Sequence, residues 1–351
     1  MAYISFQPTD FFNTLLYTGN GSAGNAQTGV GFAPDIVWIK SRSNAQKQCL
    51  FDTVRGVQKV VYPSENSAEV TDAALVTAFG SDGYTVGTDS DINGSGWTYA
   101  NWNWKCGTTS GLSGGTITPT GYSFNTTSQC SVITYTGNAT SGATVPHGLG
   151  AKPAAILVKK LDGSVDSWAV YHESLGATKF LELDVVGSVS TSANRWNDTE
   201  PTTSLFTLGN SSTVNASGNK YVAYCFAEVK GFSSFGPFTG NASTDGPFCY
   251  TGFRPAYVMI KNTSASEAWN IWDNKRNTPV GSKNAAYTVL EANSSAAETN
   301  GSTGQVIDML SNGFKVRTTS TEVNASGQDM VYFAFAEFPF VSSNSKAGTA
   351  R

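Results

Sequence analysis

The chain has 351 residues, of which 40% are hydrophobic, 12% aromatic and only 14% charged, and its formal net charge is -4. That mild acidity supplies no basic patch for nucleic acid, and no run approaches the roughly 18 apolar residues that a membrane-spanning helix needs. With 36 glycines among Ser-, Thr- and Asn-rich stretches, the composition points to an all-β chain of many tight turns.

Residues 1–12 carry Tyr3, Ile4, Phe6, Pro8, Phe11 and Phe12, and lack both the basic region and the apolar run of a signal peptide. The expectation is therefore synthesis in, and release from, a cytoplasm. Leaving these rings in water is costly, each buried Phe being worth roughly 1.5 to 3 kcal/mol. The segment reads either as a strip folded back on the next unit or, on equal footing, as a docking arm for a partner.

Beyond it the chain repeats. Gly31-Phe32-Ala33-Pro34-Asp35-Ile36-Val37-Trp38-Ile39-Lys40 returns as Gly150-Ala151-Lys152-Pro153-Ala154-Ala155-Ile156-Leu157-Val158-Lys159 and as Gly252-Phe253-Arg254-Pro255-Ala256-Tyr257-Val258-Met259-Ile260-Lys261. Gly and Pro mark a turn, and the apolar run that follows fits a strand buried on both faces. Proline sits at the tolerated strand start, and the closing lysine is expected to reach solvent. Ahead of each copy comes Tyr17-Thr18-Gly19-Asn20, Tyr135-Thr136-Gly137-Asn138 or Phe238-Thr239-Gly240-Asn241, a strand entering a tight turn. Behind each comes an aromatic strand, Leu50-Phe51-Asp52, Trp168-Ala169-Val170-Tyr171-His172 or Trp269-Asn270-Ile271-Trp272-Asp273.

Three units of about 100 residues follow from this, at 13–107, 131–231 and 232–340. Residues 108–130, rich in Gly, Ser and Thr, read as a flexible linker, the joint at 231–236 as stiff, and 341–351 as a loose tail. The expected architecture is three tandem β-sandwich or jelly-roll-like units joined by short linkers. Short helices are expected at 68–79 or 287–298. Each unit closes with a hairpin through Ile92-Asn93-Gly94-Ser95-Gly96, Val214-Asn215-Ala216-Ser217-Gly218 or Val323-Asn324-Ala325-Ser326-Gly327. Asn215 and Asn324 match the N-glycosylation pattern, but the turn chemistry of Asn and Gly accounts for them. The return strands alternate, with Val222, Tyr224 and Phe226 opposite Ala223, Cys225 and Ala227, and Val331, Phe333 and Phe335 opposite Tyr332, Ala334 and Ala336. Large residues on one face and small on the other suit a strand held between layers.

Little here announces chemistry. Five cysteines show no CxxC and no readable disulfide framework, and Cys225 reads as a small buried hydrophobe. His147 lies in a turn, and His172 takes the position of Asp52 and Asp273, which suggests a hydrogen-bonding role at one recurring polar spot. No nucleophile elbow, zinc-protease motif or phosphate loop is present, so no catalytic residue, cofactor or metal is expected. One surface reads differently: alternation along unit one's return strand places Trp97, Tyr99, Asn101 and Asn103 together. Flat rings beside amides suit a pyranose and its hydroxyls if the face is solvated. If it is buried, both asparagines need hydrogen-bond partners.

Taken together, the Tyr-Thr-Gly-Asn, Gly-Phe-x-Pro-x-x-Val-x-Ile-Lys and Val-Asn-Ala-Ser-Gly elements, the endings Tyr224-Cys225-Phe226-Ala227-Glu228 and Ala334-Phe335-Ala336-Glu337, and the opening Ile4-Ser5-Phe6-Gln7-Pro8-Thr9-Asp10 resemble a family of repeat proteins. These occur in the virion gene clusters of tailed bacteriophages, notably marine ones. The resemblance spans nearly the whole chain. It implies a virion structural protein of β-rich fibre or appendage material, without placing it on the particle. Joined to the aromatic N-terminus and the absence of catalytic motifs, it leads to the expectation of a non-enzymatic tail fibre or appendage assembled in the host cytoplasm, anchored by its N-terminus and contacting host-surface glycan. Other virion proteins are the expected partners, and a homotrimer the expected assembly by analogy with phage fibres. A capsid or tail decoration protein is the alternative, and a polysaccharide depolymerase a more distant one.

Overall fold

The computed structural model describes residues 6–276, 284–300 and 306–338, together with the short pairs 340–341 and 347–348. The chain is all-β, built almost entirely from antiparallel sheets. Each unit has an inner sheet in which the opening strand pairs with the return strand, the return strand with the Gly/Pro-led strand, and that strand with the aromatic one. In unit one these are Phe12–Thr18, Thr98–Trp104, Ile36–Ser41 and Cys49–Asp52. Unit two uses Cys130–Thr136, Lys220–Phe226, Ala155–Lys160 and Ala169–His172, and unit three Ser233–Thr239, Asp329–Phe338, Arg254–Asn262 and Trp269–Asp273.

A smaller outer sheet covers one face of each inner sheet. Asn25–Thr28, Gly83–Val86 and Val76–Gly80 form it in unit one, Ala143–Pro146 and Leu205–Leu208 in unit two, and Phe248–Tyr250, Gly313–Val316, Ile307–Leu310 and Ala285–Ala286 in unit three. The uncovered faces of the three inner sheets pack on one another. Trp102 and Trp104, Tyr224 and Phe226, and Phe333 and Phe335 all project into one common core, while each sandwich keeps its own smaller core. This explains why the Gly/Pro-led strands are apolar on both sides, one face meeting the outer sheet and the other the common core. The units are thus arranged as a ring around a shared centre rather than as a string of separately packed domains. Where the sheets meet, an apolar cavity of about 30 Å³ remains, bounded by Trp38, Trp104, Leu157, Tyr224, Met259 and Phe335.

The ring is closed by the same bonds at all three boundaries. Glu69 N donates to Leu161 O, Val189 N to Thr263 O, and Glu298 N to Arg42 O. At the head of the aromatic strands, Trp168 Nε1 donates to Tyr62 O, Trp269 Nε1 to Glu182 O, and Gln48 Nε2 to Glu291 O. Arg42 adds a two-pronged ion pair with Glu298, at 2.9 and 3.0 Å, between units one and three.

Several sequence expectations change. The segment before the return strand is not a hairpin: Gly313–Val316 and Asp329–Phe338 lie in different sheets, joined by a single helical turn, Thr321–Asn324. Ser90–Asn93 and Ser212–Asn215 do the same in the other units, with Asp89, Ser211 and Ser320 capping the three N-termini. Asn93, Asn215 and Asn324 are wholly buried and bond the Thr-Gly-Asn loop, each Oδ1 accepting from Asn20 N, Asn138 N or Asn241 N at 2.8 to 2.9 Å. Glycine is needed there because a Cβ on Gly19, Gly137 or Gly240 would lie 2.3 to 2.4 Å from the carbonyl oxygen after that asparagine, on Gly94, Ala216 or Ala325.

Residues 108–130 are not a free linker. They supply the strand Gly121–Asn125, which extends unit two's inner sheet, and Ser123 Oγ donates to Asp35 at 2.9 Å. The helices expected at 68–79 and 287–298 are replaced by the strands Val70–Thr71, Val76–Gly80 and Thr288–Glu291. Most of the tail at 341–351 lies outside the described residues.

Candidate functional site

The recurring polar spot after the aromatic strand sits at the boundaries between units. In unit one, Asp52 accepts from Arg55 Nε at 2.5 Å, and Arg55 also reaches Glu69 at 3.2 Å. Asp273, Arg276 and Glu298 repeat the cluster in unit three at 2.6 and 3.3 Å. Each aspartate takes a further donor from another unit's return strand. The Tyr224 hydroxyl lies 2.7 Å from Asp52, and Trp102 Nε1 lies 3.1 Å from Asp273.

Unit two replaces the charged set with His172, Leu175 and Val189. Phe333 then stands where the other two boundaries have Tyr224 or Trp102, its ring 5.2 Å from the imidazole and tilted 67° to it. Ser174 N donates to His172 Nδ1, which assigns the ring proton to Nε2, and Nε2 donates to Tyr332 O at 3.2 Å. Burial lowers the His172 pKa to about 4, and does the same to His147 in its turn.

The lysines that end the repeated strands are buried too, contrary to the expectation that they reach solvent. Their backbone neighbours explain it. Lys159 Nζ donates to Asn66 O and Asp166 O, Lys261 Nζ to Val186 O, Asn262 O and Glu267 O, and Lys40 Nζ to Ser41 O. Carbonyl oxygens contributed by the preceding unit thus cover Lys159 and Lys261. Desolvation lowers all three pKa values to about 8.

The face expected to meet a glycan is internal. Tyr99, Asn101 and Asn103 are fully buried and Trp97 is half-buried. Tyr99 stacks on Tyr17 at 4.9 Å and its hydroxyl donates to Ser90 O. Asn101 Nδ2 donates to Leu15 O, and Asn103 Nδ2 to Asn13 O and Asn101 Oδ1. Both amides therefore lock the opening strand onto the return strand, and no sugar reaches them.

The N-terminal aromatic residues are likewise spent within the chain. Phe12 is buried against Trp104 and Phe335, Pro8 is buried, and Phe6 and Phe11 pack on one another and on Phe232. Phe12 and Pro8 thus gain within the chain what an arm would gain on a partner, while Phe6 and Phe11 stay half-buried. Tyr3 and Ile4 lie outside the described residues. All five cysteines are free and buried, which fits the reading of Cys225.

Among the described residues, a cleft and an exposed aromatic pair stand out that the repeat analysis did not single out. Between units one and two lies a polar cleft of about 350 Å³, lined by Arg55, Lys59, Glu69, Thr134, Asp162 and Lys220. Its charges are largely spent inside the chain, Arg55 and Lys59 on Glu69, and Asp162 on Asn219 Nδ2 and Lys220 N. On unit three's outer sheet, Phe248 and Tyr250 face outward at 44% and 65% exposure, while Cys249 between them faces inward. Units one and two hold Ala26 and Thr28, or Thr144 and Pro146, in the matching registers. The alternation Phe248-Cys249-Tyr250 was the available signal, and only alignment of the outer strands marks it as unusual.

Among the described residues no three His, Cys, Asp or Glu side chains come together in a metal-binding group, and no helix is long and apolar enough to cross a membrane. A family model for a domain of unknown function, DUF7483, matches residues 7–339 as one stretch, in keeping with the shared core. Comparison with curated proteins finds no match.

Proposed function

We propose, for a chain that belongs to the DUF7483 family, that it is a non-enzymatic structural protein of a phage virion, a tail fibre or appendage component that contacts the host surface. The observation that carries this reading is the closed three-unit ring. Its buried ions, asparagines, lysines and N-terminal rings are consumed in ties that hold one unit to another or one loop to its strand. Such a body resists bending and shear, and its many short loops leave the surface free for contact. Attachment to the particle then uses a surface other than Pro8 and Phe12, because those side chains are already buried.

A homotrimer belongs to this reading, and sedimentation velocity on the purified chain tests it. A monomer would remove the trimer and leave the internal threefold arrangement as the element that matches a threefold neighbour.

The test of the reading is to label purified virions with gold-tagged antibody against the chain and view them by electron microscopy. Gold at the distal tail supports host contact. Gold over the head replaces it with a decoration role, and particles without gold overturn the virion reading altogether.

A further inference from the structure

We propose that Phe248 and Tyr250 form a binding platform for a neutral pyranose chain. The inference deepens the host-contact reading above and rests on it for biological meaning, although the site itself is argued from geometry. Phe248 and Tyr250 stand two residues apart on the edge strand of the outer sheet, so their Cα atoms are about 7 Å apart along the strand and both rings leave the same face. Across the sheet, Phe248 lies opposite Lys315, which lies opposite Asp308, while Tyr250 lies opposite Gly313, which lies opposite Leu310. Gly313 is buried between Tyr250 and Leu310. A Cβ placed there would lie 2.1 Å from Cys249 O and 3.1 Å from the Phe248 ring, so the edge strand and that ring together close over the glycine.

The chemistry around the rings selects the ligand. Lys315 pairs with Asp245 at 2.8 Å, and Arg317 with Asp308 at 2.7 Å, so donors and acceptors of both signs flank the aromatics with no net charge. An anionic or cationic partner finds no unbalanced opposite charge here. A neutral sugar finds what it needs, aromatic faces for its axial C–H groups and both ammonium or guanidinium donors and carboxylate acceptors for its hydroxyls. Two half-exposed rings are also far short of the roughly 800 Å² per partner that a stable protein interface buries, which argues against a second copy of the chain as occupant. The matching registers of units one and two carry Ala26 and Thr28, or Thr144 and Pro146, so the sandwich does not require rings at these positions. A single platform binds weakly, and repetition on a particle would raise its effective concentration.

The test is saturation-transfer difference NMR on the full chain with neutral oligosaccharides of glucose, mannose, galactose and N-acetylglucosamine. Transfer to ring protons of at least one sugar is expected. Phe248→Ala and Tyr250→Ala should each weaken the apparent Kd by roughly two- to tenfold, and Tyr250→Phe should retain most of the binding. Both side chains are exposed, so an unchanged near-ultraviolet circular dichroism spectrum confirms that the variants fold. No transfer from any sugar overturns the platform, as does transfer that survives the Phe248→Ala/Tyr250→Ala double variant. Self-association in sedimentation velocity that the double variant abolishes would assign the rings to a second copy instead. Because binding is scored on the isolated chain, its failure is separable from that of the virion reading. Gold on the tail with silent NMR removes only the platform, and sugar binding with unlabelled particles removes only the virion.

Discussion

The hydroxyl of Tyr224 donates to the carboxylate of Asp52 at 2.7 Å, joining unit two's return strand to the end of unit one's aromatic strand. Both side chains are buried, and Asp52 is also held by Arg55, so the bond is charge-assisted and screened from water. Tyr224→Phe removes the donor while keeping the ring in the common core, and should cost about 1–2 kcal/mol. Asp52→Ala strips the buried Arg55 of its main counter-charge and should cost more, about 3–5 kcal/mol. Urea denaturation checks both: the midpoint should fall in that order with the slope unchanged, and equal shifts would mean that the carboxylate matters only through Tyr224.

The second boundary suggests a sharper experiment, because it solves the same packing problem without charge. His172, Leu175 and Val189 occupy the positions of Asp52, Arg55 and Glu69, and Leu175 and Val189 pack against the common core. Replacing a whole buried ion cluster by packed apolar groups is often neutral or stabilising, whereas breaking it one member at a time is costly. The combined variant Asp52→His, Arg55→Leu, Glu69→Val and Tyr224→Phe should therefore lie within about 2 kcal/mol of the parent. Arg55→Leu alone should lose about 3–5 kcal/mol by leaving Asp52 unpaired. A combined loss equal to the sum of the single losses would show that the boundaries are not interchangeable.

Much of this was legible in the residues, and what was missed has a common cause. Periodicity identified the strands, the alternating faces of Val222 to Ala227 and of Val331 to Ala336, and the recurring polar spot. It identifies an apolar or aromatic face but not what covers that face. Lys40, Lys159 and Lys261 read as strand-end lysines bound for solvent, since the carbonyls that cover Lys159 and Lys261, on Asn66 and Val186, lie some 75 to 93 residues away in another unit. Trp97, Tyr99, Asn101 and Asn103 read as a platform for the same reason, their partners Asn13, Leu15 and Tyr17 being a full unit's length distant. The ring itself is formed by contacts between units, and no local pattern reports it.

Asn215 offers a test of the loop clasp. Its Oδ1 accepts from Asn138 N, and its Nδ2 donates to Thr140 O and Gly209 O at 3.0 and 2.9 Å. Asn215→Ala leaves buried backbone groups without partners and should cost about 2–4 kcal/mol, read as a lower thermal midpoint. The same burial predicts that chain folded before exposure to glycosylating enzyme stays unmodified at Asn215 and Asn324, even though both fit the acceptor pattern. Because Asn20, Asn138 and Asn241 also fit the pattern and are exposed, peptide mapping by mass spectrometry reads this site by site, and a glycan on Asn215 of folded protein would contradict the buried clasp.

His172 sets an acid limit on stability. Burial places its folded pKa at about 4, below the ordinary 6.5, with Nε2 donating to Tyr332 O and Nδ1 accepting from Ser174 N. Protonation would put a second donor on Nδ1 facing an N–H, inside a boundary lined by Phe333. Between pH 6.5 and 4 the unfolded chain binds a proton that the folded ring refuses. The contribution is therefore complete above pH 6.5 and is lost as pH falls toward 4. His147 titrates over the same window, and carboxyls such as the half-buried Glu173 and the buried Asp184, whose pKa values burial raises, act in the opposite sense. The comparison must then be with His172→Gln, which keeps an amide donor and cannot titrate. Across that window the parent should lose stability more steeply than the variant, by a slope difference approaching about 1.4 kcal/mol per pH unit. The imidazole Cε1–H resonance should stay flat until about pH 4, and a midpoint near 6.5 would mean that water reaches the second boundary.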